Sequence, residues 1–367
     1  MTKKSEGQDE LNLAGIVIGR QLIIAIKTTE SRQNVKRNGF RPSRESLRER
    51  EMKAIEITED KGPREALTEV VAWICKDDRS PMAVGVGCYG PFVPGGYEIR
   101  ERQTGYRERW NHSEITPMLD LNIFNLLREM FLRHGPVPKI RIDTDVAVAA
   151  LAEYYLRARP DYPDPPGLSG HDRLAFGLFT SGVGGEIVEN HQILRGEHHA
   201  EMGRLPIYPH PDDTGPDDKP FRPTRHDIGW CLEAYSNILA LEERTGLDLD
   251  ELQSQPDHPV WDLEAHYIAQ FCFSVLVTAT PKLIVLGGQI VLETPRLLDK
   301  VRREFAGFIH KNAETAPTYG RLMPYHHAEN VDRFIQSTQS YAQSGIGALI
   351  LACRAIRDAD KLGKAER

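Results

Sequence analysis

Ile142-Asp-Thr-Asp-Val-Ala-Val-Ala-Ala-Leu-Ala-Glu153 and, after a proline-rich break, Thr180-Ser-Gly-Val-Gly-Gly185 decide how this chain is read. Lys139–Ile142 has the apolar character of a strand, and the alanine-rich run Asp145–Arg157 that follows predicts a closely packed helix. An acid at such a strand-to-helix junction can accept the proton of an attacking hydroxyl, as phosphoryl transfer requires. An ordinary helix cap by Asp143 or Asp145 is the alternative. The turn Thr180–Gly185 lies between two strand patterns, and its glycines allow a close backbone approach to phosphate. It lacks the GK[ST] ending of a Walker motif, so a plain hairpin turn is the competing reading.

Outward from this centre, the N-terminal side begins with a polar segment, residues 1–12, expected to be disordered. A hairpin follows, Leu13–Ile18 and Leu22–Ile26 joined at Gly19-Arg-Gln21. Residues 28–62 are densely charged, with a solvated helix expected over Ser43–Ile57. An amphipathic helix at Ala66–Ile74 and a buried strand at Met82–Val86 precede Gly87-Cys-Tyr-Gly-Pro91. On the C-terminal side, Arg159–Asp172 holds four prolines and two glycines and reads as a hinge. Strands at Leu174–Phe179 and Glu186–Leu194 resume the pattern. An irregular Pro/Asp-rich excursion covers 206–227, and helices are expected at Trp230–Thr245, Trp261–Thr278, Pro295–Lys311 and Ser344–Asp358. The strand–hairpin–helix block thus occurs twice, which predicts an N-terminal α/β lobe over 13–157, a linker over 158–173, a C-terminal α/β lobe over 174–358 and a tail over 359–367, with a cleft between the lobes.

At 367 residues there is enough chain for both cores, and 40% hydrophobic with 27% charged residues fits a soluble globular protein. A net charge of -7 argues against non-specific nucleic-acid binding. No apolar run reaches the roughly 20 residues of a membrane span, and the polar start lacks a signal-peptide core. The five scattered cysteines include no CxxC and read as reduced thiols of a cytoplasmic protein.

The polar candidates are His199, Glu201 and Glu233, since paired carboxylates hold adjacent hydroxyls of a polyol; exposed surface acids are the alternative. Trp110-Asn111 offers a stacking face and an amide, or a simple loop anchor. Gly287-Gly288, after the strand Leu283–Leu286, is a sharp turn that could touch a nucleotide. His210, His226 and Cys231 are a candidate zinc set, although structural zinc prefers four ligands in tight pairs.

Taken in order, these blocks resemble the ROK family (repressors, open reading frames, kinases), in its bacterial fructokinase-like branch, from about residue 13 to residue 353. Gly85-Val-Gly-Cys-Tyr-Gly-Pro91 resembles the sugar-side loop, Asp143-Thr-Asp145 with Ala149, Ala150 and Glu153 the catalytic segment, and Thr180–Gly185 the phosphate turn. His199-Ala-Glu-Met-Gly203 is similar to the H-x-E-x-G sugar motif. Trp261-Asp-Leu-Glu-Ala-His-Tyr267, Leu286-Gly-Gly288 and Gly345-Ile-Gly-Ala-Leu349 resemble the C-terminal blocks.

The resemblance implies an α/β, two-lobed actin-like ATPase (ribonuclease H-like) fold of the sugar-kinase type, and ATP-dependent phosphorylation of a sugar hydroxyl. In that reading Asp145 is the general base. Gly90, Asn111, His199, Glu201 and Glu233 hold the sugar. Gly19, Thr180, Ser181, Gly182, Gly184, Gly287 and Gly288 line the nucleotide, with Mg²⁺ on its phosphates. A homodimer is the implied assembly. A repressor's DNA-binding helix-turn-helix is not expected ahead of the first strand. Four departures stand out. The first turn, Gly19-Arg-Gln21, lacks the family's GGTK pattern, Ala147 replaces an asparagine, Arg204 replaces the histidine that closes E-x-G-H, and the cysteine-rich zinc loop is reduced to Cys231 with nearby histidines. The replaced histidine is a zinc ligand in glucokinase-like members. A sugar-binding or regulatory relative without efficient catalysis is the alternative function.

Overall fold

The computed structural model describes residues 10–19, 22–58, 60–76, 80–89, 122–159, 168–169, 171–196, 199–226, 228–315 and 330–365. They fall into two compact units, the first made of the described residues up to Ala152 together with those from Ala342 onward, the second of Glu153–Tyr341.

In the first unit β1 (Glu10–Ile18) and β2 (Leu22–Ser31) form an antiparallel hairpin in register Ile18↔Ile23. β1 is apolar on both faces and almost wholly buried, the character of a strand covered from both sides. After the short helices α1 (Arg32–Arg37) and α2 (Arg44–Arg48), β3 (Glu51–Glu56) pairs antiparallel with β2. The helix α3 (Pro63–Ile74) leads to β4 (Ala83–Cys88), α4 (Ile123–Leu132) to β5 (Lys139–Thr144), and α5 (Asp145–Arg157) follows directly. The sheet order is β3-β2-β1-β4-β5, with β1, β4 and β5 mutually parallel. One face packs Ile16, Ile18, Val84 and Val86 against Leu67 and Val70 of α3 and Leu127 and Phe131 of α4.

The second unit repeats this topology. β6 (Arg173–Phe179), β7 (Val183–Glu189) and β8 (Gln192–Ile193) form an antiparallel meander. Next come α6 (Leu232–Tyr235), α7 (Ile238–Thr245), α8 (Leu249–Gln253) and the long α9 (Val260–Ala279). β9 (Leu283–Gly287), α10 (Gln289–Glu293), α11 (Leu297–Thr315), α12 (Val331–Phe334) and β10 (Ile335–Ser337) complete the unit. The order β8-β7-β6-β9-β10, with β9 parallel to β6 and β10 parallel to β9, matches the first sheet strand for strand. Its core packs Phe179 and Leu286 against Trp261 and Phe271 of α9 and Phe305 of α11, with Phe179 and Phe271 edge to face at 5.6 Å.

The last helix, α13 (Ser344–Ala365), corrects the expected boundaries. Its apolar stripe, Ile346, Leu349, Ile350 and Cys353, is buried, and the helix lies on β1, β4 and β5. It therefore belongs to the first unit, not to a lobe ending at 358, and its helical path continues into the expected tail. β1 begins at Glu10, inside the segment expected to be disordered, because its register with β2 reaches Ser31; residues 1–9 lie outside the described set. The Ser43–Ile57 helix is also corrected. Only Arg44–Arg48 is helical, and Glu51–Glu56 pairs with the edge of β2 while burying Ile55. Glu30 organises this segment: its buried carboxylate accepts from Ser43 N (2.7 Å), Ser46 Oγ (2.8 Å) and Ser31 N (2.9 Å). Burial pushes the Glu30 pKa up, but these bonds outweigh it and hold it below the usual range. The helix expected over Trp230–Thr245 is broken, since Asn237 leaves the helical path and caps α7 by accepting from Ala240 N at 2.7 Å.

All five cysteines are free thiols, four of them buried. No helix among the described residues is long and apolar enough to cross a membrane.

Candidate active site

In the first unit the C-terminal ends of three parallel strands coincide. Ile18 pairs with Cys88, and Cys88 with Thr144, so Gly19, Tyr89 and Asp145 follow one another along a single sheet edge. Ligands of open α/β sheets gather at this edge. Tyr89 N donates to Ile18 O (3.3 Å) and Gly19 N to Leu22 O (2.9 Å). Thr144 caps the start of α5, its Oγ1 accepting from Ala147 N at 3.1 Å. Asp145 accepts the Val146 N–H at 2.9 Å and Asp143 that of Thr144 at 2.8 Å. The first-turn N–H groups of α5 are thus shared between Thr144 and Asp145.

In the second unit the corresponding edge carries the glycine turns. β6 and β9 run parallel with Leu178 opposite Gly287, so the Thr180 turn and Gly287-Gly288 leave adjacent strand ends. Gly288 has φ +97°, and a Cβ there would lie 2.1 Å from the Phe179 carbonyl oxygen, so only glycine fits. Thr180 N donates to Gly182 O at 2.9 Å and Ile238 N to Thr180 O at 3.0 Å, which closes the first turn onto α7. Gly184 is already in β7, opposite Leu178.

Glu233 joins this turn to the acidic cluster. Its Oε2 accepts from Val183 N at 2.8 Å, the residue directly after Gly182. Gly203, in a 3-10 turn at Met202–Arg204, is pressed against both groups: a Cβ would lie 2.2 Å from Val183 O and 3.1 Å from Glu233 Oε2. His199 Nε2 lies 3.0 Å from Glu201 Oε1. His226 Nε2 lies 2.9 Å from Glu233 Oε1, and its Nδ1 lies 3.0 Å from Ile228 O. Each ring nitrogen also faces a donor, the Ile228 N–H at 3.1 Å from Nδ1 and Arg204 Nη1 at Nε2, so donors and acceptors compete at both. Burial pulls the His226 pKa down, but bonding to Cys231 and Glu233 outweighs it and raises it to about 9. For Glu233 burial pushes up, while the His226 bond, the Arg204 charge and the Val183 N–H prevail and hold it below the usual range. Arg204 Nη1 lies 2.9 Å from His226 Nε2, and Arg204 Nε lies 3.9 Å from Glu201 Oε2.

The structure therefore brings His199 next to Glu201, and Glu233 next to the Thr180 turn. Gly90 and Asn111 lie outside the described residues. The zinc expectation is corrected. Cys231 and His226 are neighbours, but His210 packs edge-on to His266 at 4.8 Å. Among the described residues no group of three or more His, Cys, Asp or Glu side chains could hold a metal ion. Sequence reading missed the His226–Glu233 pair. The only available signal was the histidine itself, in an irregular segment whose path to Glu233 no periodicity predicts.

Two five-stranded sheets of identical order, glycine turns at the strand ends and acids beside them define an actin-like ATPase fold of the sugar-kinase type. The ROK family model matches residues 13–352, and the chain belongs to the ROK family. It is 27% identical to a fructokinase from Lactococcus lactis subsp. cremoris over 249 residues, 68% of this chain and 74% of that one. It is also 27% identical to a fructokinase from Pediococcus pentosaceus over 278 residues, 76% of this chain and 82% of the other. The fold is similar to that of the ROK hexokinase from Thermus thermophilus, with a TM-score of 0.62 at 18% identity, covering 95% of this chain and 100% of that one. A ROK family glucokinase from Streptomyces griseus, in complex with glucose and AMPPNP, gives 0.56 at 17% identity over 94% and 99% of the chains. A ROK family transcriptional regulator, a homologue of the E. coli Mlc protein, also gives 0.56, at 14% identity over 95% of this chain and 78% of that one.

Proposed function

We propose that this protein transfers the γ-phosphoryl group of ATP to a sugar hydroxyl, with D-fructose the first sugar to try because the relatives above are fructokinases. The observation that carries the reading is the Glu233–Val183 hydrogen bond, which ties a candidate sugar acid to the turn after Gly182 within a ROK fold. Asp145 is the base that accepts the hydroxyl proton. Glu201 and Glu233 accept hydrogen bonds from sugar hydroxyls, with His199, Gly90 and Asn111 completing the sugar contacts. Gly19, Thr180, Ser181, Gly182, Gly184, Gly287 and Gly288 run along the nucleotide, and Mg²⁺ supplies charge neutralisation on its phosphates. Because phosphoryl transfer rests on positioning and electrostatics, a turn at Gly19 without the family's Thr-Lys pair is compatible with catalysis. A cytoplasmic homodimer is part of the same proposal.

The second reading, a sugar-binding or regulatory relative, is favoured by that same altered turn, Gly19-Arg-Gln21. Coupled ADP release with ATP and Mg²⁺, across hexoses, amino sugars and cyclitols, separates the two, with ATP binding followed by calorimetry. Turnover dependent on one sugar establishes the kinase. Sugar binding with neither turnover nor ATP binding establishes the binder.

A further inference from the structure

The family resemblance implies zinc in the region of His210, His226 and Cys231, and the donor set present does not fit it. Structural zinc is held by four tightly spaced ligands. Here His226 Nδ1 and Cys231 Sγ are 3.8 Å apart, and both are also engaged with the Ile228 carbonyl, at 3.0 and 3.3 Å. His210 Nδ1 accepts the Asp212 N–H at 3.2 Å. The irregular excursion is held by other means. Pro206 bridges Cys231 and Thr214 bridges Pro220. Gln270 of α9 makes two 2.8 Å bonds to the Tyr208 backbone, and Asp213 is paired with Arg244 in the interior.

The cation among the acids is a guanidinium. Arg204 ends the 3-10 turn whose first two residues follow Glu201, and Gly203 pins that turn against Val183 and Glu233. From there Arg204 reaches 2.9 Å from His226 Nε2 and 3.9 Å from Glu201 Oε2, and its charge also acts on Glu233. It thus lies beside the Glu201 loop and the His226 loop, and His226 in turn bonds Glu233 of α6. A guanidinium presents several fixed donors and cannot be removed by a chelator, and its positive charge repels a dication from the same place.

We infer that Arg204 takes the place of the family's zinc: it is a positioning residue that holds Glu201 and Glu233 for the sugar, and the protein folds without structural metal. The positioning half rests on the reading of these two glutamates as sugar contacts; the metal-free half does not.

The test uses the full chain, purified from zinc-supplemented medium. Metal content and thermal unfolding with and without EDTA are measured first. Substoichiometric zinc and an unfolding midpoint indifferent to EDTA are expected, whereas one zinc per chain, or a midpoint lowered by EDTA, overturns the metal-free half. D-Fructose is then the kinetic probe. Arg204→Met is expected to raise KM about tenfold or more with a smaller change in kcat, the scale of one lost charge-assisted bond, and Arg204→Lys to recover part of it. Unchanged KM in a folded Arg204→Met variant overturns the positioning half. If D-fructose is not turned over, the sugar that the panel above identifies is the kinetic probe. A parent protein that binds and phosphorylates none of them overturns the sugar reading and the positioning half with it, while the metal measurements still judge the metal-free half.

Discussion

Asp145 and Thr144 divide the work at one strand end: Thr144 Oγ1 accepts from Ala147 N and the Asp145 carboxylate from Val146 N in the first turn of α5. If Asp145 is the proton acceptor, Asp145→Asn removes general-base catalysis at nearly constant volume. Turnover is expected to fall about 10²–10⁴-fold while sugar affinity changes little. Single-turnover kinetics with sugar binding by calorimetry check this, and an Asn variant as fast as the parent refutes the role. At this scale the acids and glycines were legible from residue type and local context alone. The partners of Glu233 were not, because Val183, Arg204 and His226 come from separate segments and meet it only through folding.

The elements of the second unit are joined by a buried polar knot. Arg244 of α7 donates to Asp213 at 2.8 and 3.1 Å, Tyr267 of α9 donates to Asp213 at 2.5 Å, and the guanidinium stacks 4.1 Å over Phe221. Removing one partner leaves an uncompensated charge inside. Asp213→Ala is therefore expected to cost about 3–5 kcal/mol, seen as a lower denaturation midpoint in urea. Adding Arg244→Met should return much of that loss. A single variant as stable as the parent would show that the knot is not what anchors the excursion. Helices such as α9 and α11 were readable from apolar periodicity, but β3 was not. Its charged residues resemble a solvated helix, and only the open edge of β2 draws them into a strand.

At the scale of the whole molecule, stability should carry the mark of one interior acid. Glu264 is fully buried in α9; Ser236 Oγ donates to its Oε1 at 2.6 Å, and its Oε2 has no hydrogen-bond partner among the described residues. Burial raises its pKa from 4.5 to about 7, against the Ser236 bond and the Arg244 charge that lower it, with Asp213 adding to the rise. A carboxyl raised by folding favours the folded state below the unfolded pKa, and that advantage is lost as pH climbs through the folded one. Unfolding free energy is thus expected to drop by up to about 3 kcal/mol between pH 4.5 and 7.5 on account of this group. Glu264→Gln should flatten that part of the profile, and parallel profiles for the two proteins would show that Glu264 is not responsible.

The duplicated order of hairpin, helix and strand was settled by the sequence alone. Periodicity is a local property, and each block carries its own. The ownership of α13 was decided only in three dimensions. Ser344–Ala365 follows the second sheet in the chain, yet its apolar stripe is covered by β1, β4 and β5 of the first unit. An apolar face requires burial without naming its partner. The same holds for charge: Arg204, His226 and Glu233 are visible as letters, but which cation meets which carboxylate depends on the close approach that Gly203 permits.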